Sequence, residues 1–492
     1  MTPTDLSATD LSRAVHDRTL SCREVMAAHL DRIDDRNPAH HAIVSLRDRD
    51  ELLAEAAVCD DELAAGFSRG WLHGLPLAVK DLAETKGLRT TSGSRLFADH
   101  VPTADCLMVQ RMRRAGCIII GKTNVPEFGL GSNTYNDVFG ATGNAYDASR
   151  TAGGSSGGAA VALATRMVPV ADGSDYMGSL RNPAGWNNVF GFRPSQGRVP
   201  SWPALDTYVS QMSTEGPMGR TVLDMAMLLG TQSGPSPLAP LALDSTLDEF
   251  ADIDTARATL DGGVRSSGVQ GVRVGWLGDL DGHLATEPGV LEACESGLRR
   301  LESIGCVVEP TRLPVDLGRV WDAWLVWRHH AIAGSFGSVV DDPARAALMK
   351  PELRWEIERG LTLTGADLTR AARVRTAFHT AMVEVFSRFD VVILPTAQVW
   401  PFDITQHWPD HIGSRHMDTY HRWMETTIYA TFAGLPAASV PVGFSAADTA
   451  PGVPAGLSMG MQLIGPPRAD VDVLALAHAY ERTIADLAVG AA

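Results

Sequence analysis

Apolar positions along this chain change their period in a regular way. Val25, Met26, Leu30 and Ile33 recur at helical spacing behind Ser21 and Glu24, whose Ser-x-x-Glu spacing is a capping box. They predict an amphipathic helix within a helical N-terminal segment of about residues 1–60. Short unbroken apolar runs follow at Leu75 to Val79 and Cys117 to Gly121, and they read as buried strands. A helical pattern over Ala159 to Met167 comes next. Further strands are expected at Val272 to Trp276, around Cys306 to Val308 and at Val391 to Leu394. Helices are expected over Val290 to Ile304 and from Thr364, which can cap with Asp367. Strands alternating with helices predict an α/β architecture.

The stretch between Thr231 and Gly271 breaks this rhythm. It shifts to Ser, Pro, Ala, Asp and Gly, with Ser-Gly-Pro-Ser-Pro-Leu-Ala-Pro at 233–240 as its most loop-like portion. There is no internal repeat and no low-complexity tract.

With 492 residues, 45% of them hydrophobic and 20% charged, the chain is long enough to bury a sizeable core. Its net charge of -16 is spread along the sequence, which argues against nucleic acid or an anionic membrane as partner. Six cysteines, Cys22, Cys59, Cys106, Cys117, Cys294 and Cys306, show no C-x-x-C pair and no metal-like spacing, so they read as reduced, mostly buried thiols. The first twenty residues carry Asp5, Asp10, Arg13 and Asp17 and lack the apolar centre of a signal peptide. No apolar run approaches the ~18 residues of a membrane span. The expected setting is cytoplasmic.

Candidate chemistry concentrates in three segments. Gly153-Gly154-Ser155-Ser156-Gly157-Gly158 opens directly onto the helical run Ala159 to Arg166, where a helix start supplies free N–H groups. Gly173-Ser174-Asp175-Tyr176-Met177-Gly178-Ser179-Leu180-Arg181 follows, and Gly74-Leu75-Pro76-Leu77-Ala78-Val79-Lys80-Asp81 lies upstream. Taken singly, a Gly/Ser run is more often a flexible linker, Lys80 an ordinary surface lysine and Ser179 a turn residue. Their joint order and spacing changes that balance.

Together the three segments resemble the amidase signature family. That family places a lysine in a G-x-P-x-x-x-K-D segment, a serine in GGSSGG and a nucleophilic serine after an Asp and small residues. Gly121-Lys122-Thr123-Asn124-Val125-Pro126-Glu127-Phe128, then Gly216-Pro217-Met218 with Asp224, are similar to further family segments. So are Leu394-Pro395-Thr396, Gly434-Leu435-Pro436-Ala437, Pro441-Val442-Gly443 and Gln462-Leu463-Ile464-Gly465. The likeness spans roughly residues 20–485. It implies one large α/β domain over 1–492, with a mixed central sheet flanked by helices on both faces. Within it the catalytic core falls at about 61–230, a weakly marked segment at 231–360 and a C-terminal core portion at 361–492.

The resemblance also assigns roles. Ser179 attacks the carbonyl and forms an acyl-enzyme, Ser155 in a cis peptide passes the proton, and Lys80 is the base. The oxyanion hole is expected from the backbone N–H groups of Tyr176, Met177, Gly178 and Ser179. A serine hydroxyl needs a base within hydrogen-bond reach, and a lysine can serve only when neutral. Burial beside Leu77 and Val79 would depress it; moving an amine from about 10.4 to near 7 corresponds to roughly 4 to 5 kcal/mol. The chain departs from the family in one place: where two glycines usually precede the nucleophile it has Met177 and then Gly178. Met177 and Tyr176 are therefore expected to reshape the acyl side of the pocket.

The expected activity is cleavage of C–N acyl bonds in small-molecule amides, with aryl or alkyl carbamates (urethanes) as a close variant, and no cofactor or metal is expected. Two alternatives stand beside it. One is the glutaminase subunit of a tRNA-dependent amidotransferase, which belongs to the same family. Trp355-Glu356-Ile357-Glu358-Arg359-Gly360 and the following residues lack the tyrosines those subunits share. The other is a catalytically inactive amidase-like binding protein. Trp321, Trp324 and Trp327 read as a core-facing helix stripe, with a substrate channel as the minor alternative. His329, His330, His407, His411 and His416 show no HExxH-like spacing. Gly121, Gly129 and Gly131 read as turn punctuation. A homodimer is a common outcome for such enzymes.

Overall fold

The computed structural model describes residues 2–209, 211–265 and 268–488. The predicted capping box forms at the start of the Cys22–His40 helix. Ser21 Oγ accepts from the Glu24 N–H at 3.1 Å and the Ser21 N–H donates back to Glu24 at 2.8 Å. Thr364 and Asp367 make the same reciprocal pair ahead of the Gly365–Phe386 helix.

The apolar runs become strands of two sheets. The smaller sheet has the order Ile43–Val44, Ile118–Thr123, Pro76–Lys80, its first pair antiparallel and its second parallel. Every residue of Pro76–Lys80 and of Ile118–Thr123 is buried, as expected of strands covered on both faces. The larger sheet is mixed and eight-stranded. Its order is Val307–Pro310, Arg273–Trp276, Val391–Pro395, Ser458–Ile464, Ala437–Phe444, Phe190–Arg193, Thr214–Gly219, Val170–Asp175. The first three strands run parallel and the remaining neighbours pair antiparallel. Helices cover both faces, so the protein is a single-domain α/β fold.

Two large apolar clusters fill it, one around the large sheet and one between the small sheet and the N-terminal helices. The N-terminus is tied down by Asp224. Its carboxylate accepts from the N–H groups of Ala8 and Thr9 at 3.2 and 2.9 Å, where the start of the Ala8–His16 helix favours an anion.

Two expectations need correction. The loop-like stretch 231–271 contains the Ile253–Gly262 helix, capped by the Asp252 side chain on the N–H groups of Asp254 and Thr255. Only Ala256 and Leu260 of this helix are buried, too few apolar positions to give it a visible period. Gly121 lies inside the Ile118–Thr123 strand and not in a turn; an added Cβ there would sit 3.1 Å from Leu46 Cα, so a neighbouring segment dictates the small residue. Gly129 and Gly131 do have positive φ, as turn positions require.

All six cysteines are free and buried. No helix among the described residues is long and apolar enough to cross a membrane.

Candidate active site

Lys80 ends the Pro76–Lys80 strand, and its backbone N–H donates to both oxygens of Asp172 at 3.2 Å, stitching the small sheet to the edge strand Val170–Asp175 of the large one. Its side chain is 1% exposed. The Nζ atom lies 2.9 Å from Ser155 Oγ, 2.8 Å from Ser156 Oγ and 3.0 Å from Ser174 Oγ. Among the described residues no carboxylate stands within ion-pair distance of Nζ, so its immediate partners are hydroxyls. Burial pushes Lys80 down to about 7, against the opposing pull of Asp172, Asp175 and Glu215. A neutral amine has a lone pair, and the Ser155 hydroxyl is placed to donate to it.

The glycine loop delivers Ser155. The Gly154–Ser155 peptide is cis, and the Gly157–Ala164 helix begins two residues after Ser155. An added Cβ on Gly158 would stand 2.4 Å from the Asn124 backbone nitrogen, so the loop packs directly against the chain that follows the Ile118–Thr123 strand. The Ser156 N–H donates to the Ser179 carbonyl at 3.3 Å, which fastens the two serine-bearing loops to each other.

Ser179 lies in the turn between the Val170–Asp175 strand and the Arg181–Trp186 helix, 7% exposed. Asp175 organises that turn. Its oxygens accept from the N–H groups of Gly178 at 2.9 Å and Leu180 at 3.2 Å and from Arg181, and the charges of Arg181 and Arg193 hold its carboxyl far below the usual range despite burial. Gly178 adopts φ +83°, and a Cβ there would strike Thr427 at 2.5 Å. Met177 has no such backbone demand and is buried in the large apolar cluster, which explains how a methionine can stand there.

Of the four backbone N–H groups expected to stabilise an oxyanion, that of Gly178 is engaged by Asp175. Those of Tyr176, Met177 and Ser179 have no acceptor among the described residues.

A cavity of about 460 Å³ opens beside this group. Lys80, Asp172, Ser174 and Glu215 lie in its wall, as does His330 of the Leu317–Phe336 helix. Ser155 and Ser179 are not part of its lining. Outside the cavity lining, Tyr176 packs edge-on against Trp324 at 6.3 Å and lies under the Arg328 guanidinium at 4.9 Å. Arg328 is held by Glu356 and Tyr420, and Glu356 also accepts from His329 at 2.5 Å. Trp321, Trp324 and Trp327 are buried in the core cluster, with Trp324 reaching Tyr176.

Sequence reasoning named Lys80, Ser155 and Ser179 but gave no role to Ser156, Ser174, Asp172 or Glu215. The first two stood in the quoted motifs; Asp172 and Glu215 carry no local signal, because strand pairing places them. Cys59, Glu62 and His73 also come together at distances a metal ion could bridge, which cysteine spacing did not foretell. The His73 ring already contacts the Cys59 carbonyl at 2.9 Å and the Arg69 N–H at 3.1 Å, and Arg69 chelates Glu62. The cluster is thus satisfied by protein partners.

The family model for amidases matches residues 24–474. A glutamyl-tRNA(Gln) amidotransferase subunit from Synechococcus sp. is 32% identical over 484 residues, covering 94% of this chain and 93% of that protein. Among solved structures, a bacterial aryl acylamidase of the amidase signature family superposes with a TM-score of 0.86 at 29% identity, over 97% of this chain and 96% of that one. The corresponding amidotransferase subunit from Thermotoga maritima gives 0.74 at 27% identity, over 97% and 95%.

Proposed function

This chain belongs to the amidase signature family, and on that premise we propose that it hydrolyses amides through Lys80, Ser155 and Ser179 by way of an acyl-enzyme. Neutral Lys80 takes the Ser155 proton while Ser155 takes that of Ser179, and Ser179 Oγ bonds to the carbonyl carbon. The oxyanion is met by free N–H groups of the 176–179 turn. When the C–N bond breaks, the proton returns through Ser155 to the departing nitrogen. Water then adds to the acyl carbon with Lys80 and Ser155 again as base, and releases the acid. The observation that carries this reading is the short contact of Lys80 Nζ to Ser155 Oγ at 2.9 Å in a site where burial brings the amine to about 7.

For the acyl side, the half-buried ring of Tyr176, three residues before Ser179 and backed by the fully buried Trp324, supports an aromatic or apolar substituent. The likeness to an aryl acylamidase agrees with that. Carbamates differ only in the atom flanking the carbonyl and remain within the same chemistry.

A second reading is favoured by the sequence relatives. Those named as glutamyl-tRNA(Gln) amidotransferase subunits point to a glutamine-hydrolysing component working within a complex. That reading agrees with the sequence likeness, whereas the structural likeness to an aryl acylamidase supports the first.

One panel separates them: an aryl p-nitroanilide, a matched aryl carbamate and L-glutamine, offered to the wild type and to Lys80→Ala, Ser155→Ala and Ser179→Ala. Fast anilide turnover lost by orders of magnitude in each variant is the expected result. Glutamine turnover exceeding anilide turnover would select the second reading, and activity surviving Ser179→Ala would overturn the triad.

A further inference from the structure

Glu215, half-buried, stands apart from the buried acids near the site. It pairs with Ser174 in the antiparallel register of Thr214–Gly219 against Val170–Asp175, and directly paired residues share a sheet face. Ser174 is the residue whose hydroxyl meets Lys80 Nζ, so Glu215 is aimed at the same cavity. Among the described residues no hydrogen bond or ion pair reaches its carboxylate. Burial raises it to about 7, with the charge of Asp172 adding to the effect. Arg111, the one arginine whose charge bears on it, spends its guanidinium on the carbonyls of Gln232, Ser233, Gly234 and Pro235.

The other carboxylates of the cavity wall are occupied. Asp172 holds the Lys80 backbone N–H, and Asp206 accepts from the N–H groups of Tyr208 and Val209 in its own turn. Among the described residues Lys80 and His330 are the only basic side chains in the lining, and the Lys80 amine is turned to the three serines. A carboxyl left unpaired in a cavity of this size, with the wall's charge predominantly negative, fits a positively charged or N–H-rich group supplied by a ligand.

Position says which part of the ligand. The departing nitrogen must lie within hydrogen-bond reach of the relay that reprotonates it, which is Ser155 backed by Lys80. The cavity wall includes Lys80, whose Nζ stands 2.9 Å from Ser155 Oγ, so an amine half whose nitrogen sits at Ser155 can extend past Lys80 into the cavity, while the acyl half extends toward Tyr176.

We propose that this cavity is the leaving-group subsite and that Glu215 selects amides whose amine portion carries a cationic group a few atoms from the scissile nitrogen. The proposal rests on the Lys80–Ser155–Ser179 reading for its orientation. Glu215 acts here as a specificity determinant and takes no part in the bond-breaking steps.

The test uses two near-isosteric anilides of one aryl acid, built on 4-(aminomethyl)aniline and 4-ethylaniline. The wild type is expected to favour the first in kcat/KM by about 10- to 100-fold, the scale of a hydrogen bond to a charged group. In Glu215→Gln that ratio should fall toward one, and Glu215→Asp should keep part of it. A general disturbance of Lys80 would depress both substrates and leave the ratio standing, which overturns the proposal, as does a wild-type ratio near one. Calorimetric binding of the two free anilines to wild type and Ser179→Ala decides independently of turnover. Equal affinities overturn the subsite; selective binding without anilide hydrolysis by the wild type upholds the cation subsite and overturns only the reading of the protein as an anilide-cleaving amidase.

Discussion

Asp175 and Arg181 meet as a fully buried pair inside the turn that carries Ser179. The guanidinium reaches both carboxylate oxygens, Nε at 3.0 Å and Nη2 at 2.9 Å, and both side chains are entirely shielded from solvent. Such a fork-to-fork pair is the strong form of ion pair, and here it also braces the backbone around Ser179, the proposed nucleophile.

Removing one partner leaves an uncompensated buried charge. Arg181→Ala is expected to lower stability by about 3 to 5 kcal/mol and to abolish hydrolysis together. Denaturant unfolding with a matched activity assay checks this; a variant as stable as wild type would show that Arg193, which also reaches Asp175, suffices.

The pH profile follows from the lysine. Lys80 is brought down to about 7, and only its neutral form accepts a proton, so kcat/KM should rise with pH and level off above a midpoint near 7. A profile already flat from pH 5 to 9 would mean that Lys80 is not the base.

The same shift has a stability consequence of opposite sense. A lysine whose folded value lies below its unfolded value of 10.5 penalises the fold most below pH 7, and the penalty fades between pH 7 and 10.5. Lys80→Met should therefore be inactive yet more stable at pH 6 by about 1 to 3 kcal/mol, once lost hydrogen bonds to the serines are counted, with the gain shrinking by pH 10. Unfolding curves at both pH values read it directly.

Gly178 combines φ +83° with Thr427 packed against its Cα. Gly178→Ala should shift the turn that carries the free N–H groups of Met177 and Ser179 and cut kcat by at least about a hundredfold, the scale of misplacing an oxyanion donor, while Gly87→Ala, at positive φ with nothing near its Cα, should leave activity intact. Comparable losses in both variants would indicate backbone strain alone.

Met177→Gly should change which acyl groups are preferred, and, since the side chain is buried in the core, lower stability by about 2 to 5 kcal/mol. The ratio of kcat/KM for a benzoyl and an acetyl anilide is the readout; an unchanged ratio assigns Met177 to packing only.

Much of the fold was legible because its signals are local. The Ser21–Glu24 and Thr364–Asp367 boxes, the apolar runs that became Pro76–Lys80, Ile118–Thr123 and Val391–Pro395, and the helix after the glycine loop each declare themselves within a few residues. The Ile253–Gly262 helix was missed because its apolar face is two residues wide, and the hub of Arg328, Glu356, Tyr420 and His421 gave no sign, since its members come from three separated segments.

By itself the sequence determined the family, the α/β class and the three residues on which the proposed chemistry rests, because glycines, a lysine and two serines at fixed offsets are a covalent fact of the chain. Only the tertiary structure decided which side chains share their desolvated space. Ser156, Ser174 and Asp172 reach Lys80, and Glu215 faces the same cavity, through strand register and sheet packing. A pKa near 7 for Lys80 or Glu215 is likewise written nowhere in the sequence. It arises when chain segments far apart in sequence exclude water from the same few cubic ångströms, and the charges that remain must be balanced there.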